Sequence, residues 1–198
     1  MTIINNRAVL LKELPLKVIN ESKSNAKLYT KLFIEIAKKN TNKDIKSNHI
    51  AIIYKHFSYL MWFYANGIWS NIEDVELRRN LHNESSKLTI NEISRVLLKT
   101  MPKSSNEQIK SDVGIEFQEY KRRFIKDLET KIIEGYEPDA NSALFIILEW
   151  LKEEMQLSGL DMLEIVPLFI QDSRIVTTMG DIEAIAYEAI IYERNNCC

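Results

Sequence analysis

Chemistry in this chain would have to come from carboxylates, because the other usual carriers are scarce. Three His and two Cys are spread over 198 residues, and the two Cys are neighbours, Cys197 and Cys198. That leaves little for a zinc site. There is no G-x-x-x-x-G-K-[ST] or G-x-G-x-x-G loop, no H-E-x-x-H and no C-x-x-C. Acidic pairs remain: Glu116 with Glu119, three apart, and Glu149 with Glu153, four apart, so that each pair shares one helix face. If those two faces met, four carboxylates could hold Mg²⁺, which prefers oxygen ligands, and set a water against a phosphate.

In that respect the chain resembles the Mg-dependent all-α nucleotide pyrophosphohydrolases, although their tighter acidic doublet and the acidic-x-x-acidic pair that follows it are missing here. Arg78, Arg79, His82 and Glu84 make the densest mixture of titratable types. They resemble the Arg-His pairs of helical RNases at a shorter spacing, and a surface ion-pair cluster is the plainer reading. His56 has no second His at helical spacing and reads as a hydrogen-bonded core residue. For nucleic acid the candidate is the run Tyr120, Lys121, Arg122, Arg123, Phe124 and Lys126. Cations interleaved with aromatics neutralise phosphates and stack bases. Tyr120 and Phe124, however, fall on a buried helical stripe, which leaves the cations, with Glu119 and Asp127, as a salt-bridged outer face. A helical nucleic-acid-binding regulator is therefore a lesser alternative.

Charge distribution carries more of the functional argument. The formal net charge of −2 conceals a split: residues 1 to 126 hold 22 Lys and Arg against 13 Asp and Glu, and residues 127 to 198 hold 4 against 15. A concentrated field of one sign steers an oppositely charged partner. The expectation is a non-catalytic protein-binding module without a cofactor, of the bacterial immunity-protein or antitoxin type, that occludes a basic toxin nuclease domain. Its binding surface would comprise Glu149, Glu153, Glu154, Asp161, Glu164, Asp172, Asp181, Glu183 and Glu188. The competing expectation is that the basic and acidic parts neutralise each other, within a monomer or across a homodimer.

The elements that must position these residues are helical. Only five Gly and four Pro punctuate the chain, too few for a fold of many hairpins. Ile50 to Trp69 is the most apolar run and holds two of the three Trp. A helix apolar on nearly every side is surrounded by other helices. Ile109, Val113, Phe117, Tyr120, Phe124, Leu128 and Ile132 recur at steps of three and four, a cadence that a helix of about 30 residues sustains. Before them, Pro15 predicts a kink or two short pieces over residues 7 to 20, and Ser24 reads as the N-cap of a separate helix. Asn66-Gly67 reads as a helix terminator. Thr89 and Glu92 read as a capping box that starts another helix, and Ser104 with Glu107 as a second. Asp139 caps a helix in which Glu149, Glu153 and Glu154 face out, and Asp181 caps a last one. The sum is a single all-α domain over residues 1–198, an irregular bundle of eight or nine helices around a central aromatic-rich helix.

The first residues, MTIINNRAVLLKELP, lack a signal-peptide pattern, and cytoplasmic residence is expected. The run from 50 to 69 is interrupted by Lys55, His56, Ser58, Asn66 and Gly67, which argues against a membrane span. A Cys-Cys end can accept lipid, but the stretch before it lacks the basic cluster that usually supplies the second anchoring signal.

Overall fold

A computed structural model describes residues 2–101, 104–136 and 140–175. All regular structure among them is helical, with no strand. Six helices follow one another: α1 (Thr2–Asn40), α2 (Ser47–Trp69), α3 (Val75–Thr100), α4 (Asn106–Ile133), α5 (Ala140–Met155) and α6 (Gly159–Ile170). No helix among the described residues is long and apolar enough to cross a membrane.

Among the described residues the expected count of eight or nine is not reached, because two expected breaks between helices do not occur and the helix expected from Asp181 lies outside them. Pro15 lies inside α1, which continues through it to Asn40. Ser24 is not a cap; its hydroxyl donates back to the Asn20 carbonyl within the helix. Thr89 and Glu92 likewise sit in the interior of α3. The Thr89 hydroxyl donates to the Ser85 carbonyl at 2.8 Å. Such back-bonding lets Ser and Thr sit inside a helix that their capping habit would otherwise end. Asn66-Gly67 does not terminate α2 either, which runs on to Trp69, with the Asn66 side chain donating to the Trp62 carbonyl. α5 stops at Met155, the chain turns through Gln156 at φ 54°, and Gly159 opens α6.

Other boundaries follow local chemistry. Asp74 caps α3 by accepting from the Leu77 amide, and Ser105, rather than Ser104, caps α4 by accepting from the Gln108 amide. Gly135 ends the α4 segment with φ 96°, a left-handed geometry that glycine adopts without a Cβ penalty. Ser158 and Asp161 form a reciprocal capping box on α6. The expected Asp139 cap and the expected helix from Asp181 lie outside the described residues.

Packing centres on aromatic side chains. α2 packs against α1, α3 and α5. Its Phe57 stacks on Phe169 of α6, and both rings meet Tyr29 and Phe33 of α1 edge to face. On another side Tyr59 stacks on Phe117, and Phe63 meets Phe124, both partners from α4. Trp69 is fully buried and donates to the Ser85 hydroxyl of α3 at 2.8 Å. Offset and edge-to-face pairs each add about 0.5–1.5 kcal/mol beyond area burial.

Phe169 is the main anchor of α6, so Phe169→Ala is expected to cost about 3–5 kcal/mol in urea denaturation, the range for emptying an aromatic core site. A loss below about 1 kcal/mol would show that α6 is not held in this way.

Candidate functional site

The densest group of buried titratable side chains lies where α2, α4 and α5 meet. Lys55 and His56 are consecutive on α2, and both are buried. A charge removed from water must be paired and hydrogen-bonded, or burial costs several kcal/mol. Lys55 Nζ reaches Glu116 Oε1 of α4 at 2.7 Å and Glu154 Oε1 of α5 at 3.3 Å. His56 Nε2 bonds Glu154 Oε2, and its Nδ1 lies 3.4 Å from the Tyr120 hydroxyl. These partners define a neutral imidazole in which Nε2–H donates to the carboxylate and the Tyr120 hydroxyl donates to Nδ1. The Tyr59 hydroxyl is buried nearby without a hydrogen-bond partner.

Burial holds the His56 imidazole below its ordinary 6.5; the bond and charge of Glu154 oppose that shift, and Lys55 reinforces it. Burial also works against the charge on Glu154, yet His56 and Lys55 outweigh it and hold that carboxyl down at about 2. The Tyr59 and Tyr120 hydroxyls are pushed up, by burial first and then by neighbouring negative charge. None of this makes a reactive centre. The His56 side chain is only 5% exposed, and both ring nitrogens are already engaged. General base catalysis needs a nitrogen within reach of a substrate proton.

A second network joins α1, α2 and α3. Glu92 accepts two hydrogen bonds from Arg95, one from Tyr54 at 2.9 Å, and pairs with Lys23 at 3.2 Å. Burial raises its pKa, but Arg95, Tyr54 and Lys23 together bring it down to about 2. Burial and the Glu92 charge push the Tyr54 hydroxyl well above its usual range.

The carboxylates singled out for Mg²⁺ are held apart. Glu116 faces Lys55, Glu119 is exposed, Glu149 pairs with Lys131 at 3.2 Å and Glu153 with Arg123 at 2.7 Å. Among the described residues no group of three or more His, Cys, Asp or Glu is placed to hold a metal ion. The expected cluster at 78–84 also disperses. Arg78 donates to the Ile72 carbonyl, His82 bonds Asn66 and Glu84 pairs with Lys87. Burial lowers the His82 pKa, as do Arg78 and Lys121. In the basic run of α4, Tyr120 and Phe124 are buried, Lys121 lies over the Trp62 and Phe117 rings, and Arg123 lies over Trp150. Two of the cations are thereby held against this chain's own aromatics.

Of the acidic positions expected at a partner surface, Glu154 pairs with His56 and Lys55 while its side chain stays 38% exposed. Glu149 and Glu153 do face out, at 59% and 65% side-chain exposure. Asp161 closes the α6 capping box, and Asp172 pairs with Arg174 at 2.7 Å. Glu164 is exposed, and no ion pair joins it among the described residues. Asp181, Glu183 and Glu188 lie outside the described residues. Sequence reasoning missed the partners of Lys55 and the role of Glu92. The signal for the first was there: a lysine on a helix with no polar face needs a carboxylate from somewhere.

Compared with known proteins, the chain matches no family model, and neither a curated protein nor a solved structure shows significant similarity to it.

The two networks set the pH dependence of stability. His56 binds its proton less readily folded than unfolded, so stability is full above pH 6.5 and declines as pH falls below it. Glu92 and Glu154 have folded values near 2 against 4.5 unfolded, so their contribution is present above pH 4.5 and lost as pH falls from 4.5 toward 2. Urea midpoints measured stepwise into acid should therefore fall in two stages. Glu92→Gln should flatten the lower stage; an unchanged acid limb would contradict the paired geometry.

Proposed function

We propose that this chain is a non-catalytic protein-binding module of the immunity-protein or antitoxin type, which occludes a basic partner such as a toxin nuclease domain with an acidic surface. The observation that carries the reading is a groove of about 470 Å³ along the outer face of α5, bordered by Glu149, Lys152, Glu153 and Gln156. Its two carboxylates are exposed, and their pairs with Lys131 and Arg123 lie at the surface. Surface pairs of this kind are worth about 0–1 kcal/mol, so a partner's guanidinium can replace them at little cost. Glu164 and the exposed leucines of α6 add further charge and apolar anchors. An apolar core with a charged rim is the usual anatomy of a specific interface, and complementary charge raises its association rate. A cytoplasmic, bacterial setting belongs to the same reading.

The test is co-expression with the basic product of a neighbouring toxin reading frame, followed by copurification at low and high salt. A complex should form at low salt, weaken as salt rises, and be lost in the triple variant Glu149→Lys, Glu153→Lys, Glu164→Lys. Absence of any complex at low salt, or a complex indifferent to the triple reversal, contradicts the proposal.

A further inference from the structure

A second groove has the opposite character. It measures about 490 Å³ and lies between α1 and α3 at the start of α2. Lys27 and Lys31 rim it from α1, Arg95 and Lys99 from α3, while Ile34, Ile50 and Val96 give it an apolar lining. Glu35 is the one acidic residue along it. Lys31 is 4.0 Å from Glu35, and Arg95 is engaged with Glu92; Lys27 and Lys99 have no ion pair among the described residues. Tyr54 reaches this groove with its ring largely buried and its hydroxyl tied to Glu92, so it offers no stacking platform for a base. The occupant that fits is apolar along one face and acidic at its edges.

The same chain presents such a face. α6 is apolar on both sides. Ile165 and Phe169 are buried inward, while Leu160, Leu163 and Leu168 stand outward at 76%, 71% and 46% exposure. Glu164 lies between those leucines, Asp161 lies beside Leu160, and α6 carries no Lys or Arg. A helix apolar all round is normally covered all round. Leu160 to Leu168 is eight residue steps, and so is Lys27 to Glu35 along the groove; at 1.5 Å per step each is about 12 Å long. Within one molecule the two cannot meet, because α6 is already pinned to α1 by its inward face through Phe169 against Tyr29 and Phe33.

We infer that the outward face of α6 docks into the basic groove between α1 and α3 of a second copy. The contact is helix-in-groove, with leucines as anchors and Asp161 and Glu164 against the lysine rim. It joins two different surfaces, so it is heterologous: each copy keeps one free groove and one free helix, and assembly proceeds head to tail. It shares Glu164 and the exposed leucines of α6 with the surface proposed for the basic partner but does not rest on that reading. The test below uses this chain alone, so either idea can fail without the other.

The test is sedimentation velocity on the purified chain and two variants whose substitutions lie at exposed positions. Lys27→Glu with Lys99→Glu blocks the groove; Leu160→Glu with Leu163→Glu blocks the helix. Circular dichroism checks that both keep their helicity. The unaltered chain is expected to self-associate with rising concentration, less so in high salt. Each variant alone should associate at least about tenfold more weakly, a loss in one contact of the size expected for removed anchors or reversed charges. Mixed together they should form a dimer and stop there, because one intact groove meets one intact helix. A chain that stays monomeric overturns the inference. So does association that survives in either variant alone, or a mixture that gives no dimer. Binding of an anionic detergent monomer in the groove, with no self-association, would assign the groove to a small amphiphile and overturn it as well.

Discussion

The arrangement depends on one constraint: α2, a long and largely buried helix, carries two consecutive ionisable side chains, and both are buried. Lys55 and His56 have to be satisfied from neighbouring helices, and Glu116, Tyr120 and Glu154 do so. The requirement is directional as well as electrostatic. A lysine donating to two carboxylates and an imidazole with both nitrogens engaged fix where α4 and α5 cross α2, in a way that aromatic packing alone does not. Removing one partner of such a group leaves a buried charge uncompensated, which costs far more than the pair itself contributes.

That constraint also decides where function can lie. His56 and Glu154 are engaged with each other, and Glu116 with Lys55, in holding α2, α4 and α5 together. Glu92 plays the matching role on the other flank, drawing Lys23, Tyr54 and Arg95 of three helices onto one side chain. With the interior closed, the remaining unfilled capacity is on the surface. An acidic groove runs along α5, a basic groove separates α1 from α3, and the leucines of α6 stand uncovered. The steep charge division seen along the chain is thus partly cancelled, by the part-buried pair Lys55–Glu154 and the surface pair Arg123–Glu153, and partly kept outside.

The long α4 was legible because its apolar residues keep step for seven positions, and no other structure sustains that cadence. The inward placing of Tyr120 and Phe124 was legible for the same reason. The breaks expected at Ser24 and Thr89 were misread because a hydroxyl that caps a helix and one that back-bonds inside it look identical in sequence; what separates them is tertiary. Glu92 would have completed the capping box at Thr89, but it lies against two cross-helix donors, Tyr54 and Lys23, and Arg95 of its own helix instead. Glu149 and Glu153 could be placed on an outer face from periodicity alone. Glu154 could not. One residue further on, the helix has turned by about 100°, toward a lysine and a histidine nearly a hundred positions away in the chain, and only the fold brings them together.

The central claim, that His56 is a neutral, internally closed bridge rather than a working base, is tested most directly by NMR titration of the ¹⁵N-labelled imidazoles. The account predicts that His56 stays in the Nε2–H tautomer at neutral pH and titrates below 6.5. A midpoint at or above 6.5, or a proton on Nδ1, would contradict it.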